Sequence, residues 1–358
     1  MKRDGASVPG TKQYNCNMRQ NRNLGRVLGL LIVVLVIVFL VSAVMGRYAL
    51  RPAEIMELIR EKLTGQPFSD EASATVLFGS WLPRIAAAML IGCALSMSGA
   101  SYQGIFRNPM VSPDLLGASA GAGFGAALGF LCDLPTVQTQ LLAFCMGMAA
   151  VFITLMISRF VGGKQESSPV LLVLSGIVVA ALFQAFISIV KYVADPFDTM
   201  PSIAFWLMGG LTYVTSSDIL FLLVPVLAGS VILFLLRWKI NILSFGNDEA
   251  ESLGVSVNRC RVIIIICSTF MTAASVAVGG MIGWVGLIVP HFARILVGPD
   301  YRRMLPCTAV LGAAFLLVVD DAARCPFPQD LPIGILTAII GAPVFVALLA
   351  KGRKGFLA

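Results

Sequence analysis

The chain has 358 residues, 58% of them hydrophobic and 13% charged, with a mean hydropathy of +0.88. A soluble domain carries about 45–50% apolar and about 25% charged residues, so a water-soluble core of this size is excluded, as are collagen, disorder and a disulfide-rich secreted scaffold. What remains is an integral membrane protein. The 26 basic and 19 acidic residues leave +7, which in a membrane protein reports loop orientation rather than nucleic-acid binding.

Residues 1–26 are polar and basic (Lys2, Arg3, Lys12, Arg19, Arg22, Arg26) and read as a cytoplasmic N-terminal segment. The apolar run at 27–46 follows. It is about 20 residues long, enough to cross a bilayer at 1.5 Å per residue, whereas a cleaved signal peptide has an apolar stretch of roughly 7–15. It is therefore taken as a retained first span. The connection 47–83 is polar, and within it Pro52 to Leu63 has helical spacing with Pro52 suited to a first turn.

Further spans are expected at 84–103, 114–132, 138–160, 169–192, 216–236, 259–279, 281–298, 304–322 and 331–350, ten in all. Gly279, Gly280 and Pro290 interrupt the pattern near the seventh and eighth. Residues 200–210 are too short to span and predict a re-entrant or surface helix. The transmembrane domain then covers 27–351, and 352–358 form a cytoplasmic tail.

Ten spans place both termini on one side. Loops on that side hold nineteen Lys and Arg against seven on the other, and the acidic residues divide seven to twelve in the opposite sense. The positive-inside rule makes both termini cytoplasmic.

Eight cysteines (Cys16, Cys93, Cys132, Cys145, Cys260, Cys267, Cys307, Cys325) form no CxxC pair, and Cys93, Cys145 and Cys267 lie in apolar runs as small hydrophobes. A single histidine, His291, argues against a zinc or haem site and is read as a structural or capping residue. Asp320 and Asp321 lie one turn from Arg324, where helix-end pairing competes with a functional role. Gly117, Gly121, Gly125 and Gly129 recur every four residues along one helix face, a pattern that serves close helix packing or a translocation path.

The stretch Leu243 to Val257 is polar, acidic and helix-forming, bracketed by Gly246 and Gly254. Ala250 and Leu253 are three apart and predict a shared apolar face for a protein partner on the cytoplasmic side.

Four blocks, in order, resemble the FecCD family of ABC importer permeases. They are Leu82-Pro83-Arg84 with Gly92, Ser98-Gly99, Gln103, Asn108-Pro109, Pro113, Leu116-Gly117 and Gly121-Ala122; then Gly246, Ala250 and Leu253-Gly254; then Gly283, Gly286-Leu287-Ile288, Pro290-His291 and Arg294; and last Asp320, Ala323-Arg324, Leu331-Pro332-Ile333-Gly334 and Gly341-Ala342-Pro343. Trp81 stands where the family commonly has arginine, Trp284 where it has phenylalanine, and Met110-Val111 where it has Leu-Ala. Pro326 and Pro328 are further departures.

The resemblance implies an all-α permease of about ten transmembrane helices with the fold of the vitamin B12 importer, in the cytoplasmic membrane of a bacterium or archaeon. It implies a second permease subunit, a homodimer or a pseudo-symmetric heterodimer, within the lipid bilayer. Two ATPase subunits, which bind the ATP and magnesium, would dock at the loop 240–257 through Gly246, Asp248, Glu249, Ala250, Glu251, Leu253 and Gly254. An extracytoplasmic substrate-binding protein would dock at Trp81, Arg84 and Arg324. This chain would hold no cofactor or metal, make no covalent bond and bind no nucleic acid. Family frequency favours a ferric siderophore as substrate, with haem and cobalamin permeases sharing the same motifs.

Two other classes fit less well. An ion-coupled secondary transporter needs carboxylates or broken-helix ion sites near the midplane, and the ten spans put no Asp or Glu there. A membrane-embedded enzyme needs a nucleophile and base, or metal ligands, gathered in one place.

Overall fold

The computed structural model describes residues 9–46, 50–163, 169–325 and 329–356, and the regular elements among them are all helical. Expectations resting on Arg47, Lys164, Pro326 and Pro328 fall outside the described residues.

The first helix, α1 (Pro9–Val44), starts well ahead of the apolar run, so the basic N-terminal segment is in part helical and continuous with the first span. Next come α2 (Pro52–Thr64) and α3 (Glu71–Val76). A capping box starts α2, the Arg51 N–H donating to Glu54 Oε2 at 2.9 Å. The Asp70 carboxylate starts α3 by accepting from the Ser73 hydroxyl, which chiefly holds its pKa below the usual value, and from the Ser73 and Ala72 N–H groups.

α3 runs through one wide turn, Leu77–Trp81, into α4 (Leu82–Phe106). The wide turn has a cause: Pro83 has no N–H and its ring crowds the preceding carbonyls, so Leu82 bonds back five residues to Leu77 O. Leu50, Ile55, Leu58, Ala74, Leu77 and Trp81 close a small apolar core under α2 and α3.

α5 (Ala118–Leu131), α6 (Thr136–Gly162), α7 (Pro169–Val193) and the short α8 (Thr199–Leu207) follow, then α9 (Ser216–Leu243) and α10 (Asn247–Ser252). The chain ends with α11 (Val257–Gly279), α12 (Val285–Val297), α13 (Tyr301–Arg324) and α14 (Ile333–Phe356), which continues helical into the expected C-terminal tail.

Among the described residues seven helical stretches are long and apolar enough to cross a membrane, and α5, α12 and the Ile333–Leu348 part of α14 are shorter apolar stretches. Each of the ten expected spans therefore has an apolar helix. The fourth-residue glycine run belongs partly to a turn: Gly117 has φ +88° and closes a single tight turn (Pro113–Leu116) before α5 begins.

At the centre, α4 packs on α9, α11, α12 and α13. Glycine makes this possible. A methyl at Gly92 would run into the Gly312 carbonyl, and one at Gly99 into the Gly286 carbonyl. Gly104 sits against Ile240 and Tyr301, so the C-terminal ends of α4 and α9 meet the start of α13. The start of α4 meets the end of α13 through Arg84 and Asp320. The bundle thus has two ends, one carrying α10, the other carrying Arg84.

Candidate functional site

At one end, α9 stops at Leu243 and extended Gly246 leads into α10. Gly246 leaves room for the Glu249 carboxylate, which folds back beside it. Asp248 and Glu249 lie exposed in the first turn, where the helix dipole favours negative charge. Glu251 is also on the exposed side. After Ser252 the helix closes: Gly254 at φ +74° donates to Glu251 O (2.9 Å), and Val255 donates to Ala250 O (2.9 Å).

Ala250 and Leu253 do not share an outward face. Ala250 is 0% exposed and belongs to the main apolar core with Leu243, Val255 and Val257, whereas Leu253 is 61% exposed. Leu253 caps the helix, its N–H still donating to Glu249 O (3.3 Å), with its side chain outward. Ala250 seats the helix on its own chain; Leu253, Phe245 and the carboxylates form the surface.

Two arginines, one buried and one half-buried, support this end. Arg261 on α11 is 3% exposed and its Nη2 donates to Asn247 Oδ1 at 3.1 Å. Arg294 on α12 donates to Gln103 Oε1 at 3.0 Å, joining the third motif block to the first. His291 lies half-buried one turn before Arg294.

At the opposite end, Arg84 and Arg324 lie in a buried ionic cluster. Arg84 is 7% exposed, and its Nε and Nη2 grip the Asp320 carboxylate at 2.8–3.0 Å while Nη1 donates to Asp330. Asp330 also accepts from Thr212 Oγ1 at 2.9 Å. Arg324 is 5% exposed; its Nη2 donates to Asp321 (2.6 Å) and to the Ser42 carbonyl (2.6 Å) on α1. Trp81 lies in the small core under α2 and α3, with Gly46 against its ring. In this fold the three residues expected at a docking surface are buried: two close an ionic cluster and one fills a core. The helix-end pairing expected for Arg324 is present, with Asp321.

The glycine face also resolves into packing. Methyls at Gly121 and Gly125 would lie 2.5 Å from the Met146 and Leu142 carbonyls, and one at Gly129 would meet Thr139, all on α6. Gly117 faces α7 instead.

Sequence reasoning missed Arg261, Asp330 and Ser42. Only Arg261 left a signal: a cation inside the apolar span expected at 259–279.

The FecCD transport family model matches residues 34–351. A molybdate import system permease from Haemophilus influenzae is 39% identical over 91% of this chain and 95% of its own length. A probable iron chelatin transport permease from Helicobacter pylori is 38% identical over 76% of this chain and 81% of its own. Among solved structures, a transporter described as metal-chelate type, in an inward-facing conformation, superposes with a TM-score of 0.81 at 36% identity, covering 91% of this chain and 99% of that one. The two-ended helical bundle, the motif blocks joined through Gln103 and Arg294, and these matches lead to one conclusion: the chain belongs to the FecCD transport family, as a multi-pass ABC importer permease rather than an enzyme.

Proposed function

We propose that this chain is the membrane path of an ATP-driven importer that takes a metal-bearing solute from an extracytoplasmic binding protein. Two ATPase subunits dock at the α10 end and hydrolyse ATP; a second permease copy completes the path. The observation that carries this reading is the exposed surface of Asp248, Glu249 and Glu251 on a short helix seated between α9 and α11, with exposed Phe245 and Leu253 flanking it. It offers a partner both charge and apolar area outside the apolar bundle. The charge asymmetry of the loops supports a cytoplasmic position for this end and for both termini. ATP binding in the partners would bias the bundle between its two openings.

For the solute, a ferric chelate is the first reading, supported by the metal-chelate-type neighbour and the iron chelatin relative. Molybdate is the second, favoured by the relative that is 39% identical and matched over almost its whole length. The experiment is uptake by the complete importer in proteoliposomes, offered radiolabelled ferric siderophore, haem, cobalamin and molybdate in turn. ATP-dependent uptake of ferric siderophore alone supports the first reading. Uptake of molybdate alone replaces it, and uptake without ATP overturns the importer reading altogether.

A further inference from the structure

We infer that Arg261 is a positioning residue that clamps α10 to α11, so that force applied to α10 enters the membrane helices through α11. The inference rests on the reading of α10 as the ATPase docking element.

Arg261 lies four residues into α11, and its guanidinium is buried. Burying a guanidinium there costs solvation. Burial alone therefore does not account for an arginine at this position. Its contact does: Nη2 donates to the side-chain oxygen of Asn247, the first residue of α10.

α10 has six residues, far fewer than an isolated helix needs to hold itself together. Its position is set by its contacts with the chain around it. Ala250, buried in the core, and Asn247, held by Arg261, are three residues apart and lie on the same side of the helix. The apolar contact resists separation. The directional hydrogen bond resists sliding and rotation, which packing alone permits.

α11 is in turn bonded to the central helix. Ser98 Oγ on α4 donates to Ser268 O at 3.1 Å, and the Tyr102 and Thr269 hydroxyls lie 3.1 Å apart, all buried. A displacement of α10 carried into α11 thus reaches α4, the helix packed on α9, α12 and α13. Arginine suits the clamp because its planar fork keeps donors in fixed directions, whereas lysine offers one rotatable ammonium.

The test uses the complete importer with its ATPase subunits in proteoliposomes, offered the four radiolabelled solutes named above. The transported solute is counted per ATP hydrolysed. Leu253→Cys, combined with each variant, reports by cross-linking whether α10 still reaches the ATPase. Arg261→Met and Asn247→Leu should each lower solute moved per ATP on the order of fivefold or more, with cross-linking retained. The double variant should lose less than the two single losses combined, because the contact they share is removed twice. Asn247→Asp should keep the wild-type ratio, and Arg261→Lys should fall between. If Arg261→Met does not fold, Asn247→Leu, at a half-buried position, decides alone. A wild-type ratio in these variants with cross-linking intact overturns the clamp, as do additive losses in the double variant. Absence of cross-linking in the Leu253→Cys parent overturns the docking reading itself, and the clamp with it.

Discussion

Arg84 holds Asp320 with two nitrogens, Nε at 3.0 Å and Nη2 at 2.8 Å, across 236 residues of chain. The neighbouring carboxylate, Asp321, pairs at 2.6 Å with Arg324 in its own helix, which lies 4.0 Å from Asp320. Two adjacent aspartates on α13 thus tie it in different directions: Asp320 to α4 and, through Arg84, to Asp330 ahead of α14, and Asp321 to Arg324 and the Ser42 hydroxyl on α1 (2.8 Å).

Removing one partner should be worse than removing both. Asp320→Ala leaves the buried Arg84 guanidinium with Asp330 as its remaining carboxylate, at a cost of up to about 3–5 kcal/mol, whereas an apolar pair of similar volume is often close to neutral. Thermal unfolding in detergent should show a large loss for Asp320→Ala and substantial recovery in Arg84→Met with Asp320→Leu. Equal melting of the Asp320→Ala variant and wild type would contradict a folded-state role for the pair.

Gly254→Val should uncouple transport while leaving the bundle folded. A Cβ at this position meets nothing within 4 Å, so packing does not suffer, but φ +74° costs a non-glycine residue roughly 1–2 kcal/mol and valine more. Asparagine visits the left-handed region readily, so Gly254→Asn should transport nearly normally. Comparing the two variants by solute moved per ATP checks the backbone argument.

Glycines against backbone should be intolerant, and glycines in open space tolerant. Gly99→Leu drives a side chain into the Gly286 carbonyl and should abolish recovery of monodisperse protein, since neither backbone can yield. Gly210→Ala meets nothing within 4 Å and should be recovered at wild-type yield. Size-exclusion profiles of the two variants provide the comparison.

Orientation is testable with single cysteines in a cysteine-free background. Lys62→Cys, on exposed α2, should react with an impermeant reagent only from outside, and Leu253→Cys only from inside. Leu253 is the right inner probe because Ala250 is fully buried and would not react from either side. Labelling of the Leu253→Cys variant from outside would reverse the topology.

Much of the architecture was legible in the chain because a bilayer leaves few choices. Runs of about 20 apolar residues must be helical to satisfy their backbone in lipid, and their order follows from hydropathy alone. The motif order identified the family for the same reason: blocks such as Gly99 and Gly286 record backbone contacts, which only glycine allows. The short helix at 247–252 was visible from its brackets, Gly246 and Gly254.

What each charged or aromatic residue faces was not legible, because that depends on partners far away in sequence. Arg84, Arg324 and Trp81 read as an outer surface from their positions at helix ends. Folding instead brings Asp320, Asp330 and Ser42 to the arginines and closes α2 and α3 over the indole. Ala250 looked outward from its spacing to Leu253, but Leu253 caps α10 with its side chain outward and Ala250 turns into the core. Local pattern determined which segments are helices and which end each motif occupies. Tertiary structure decided which side chains are buried, since burying a charge depends on a counter-charge that no local window contains.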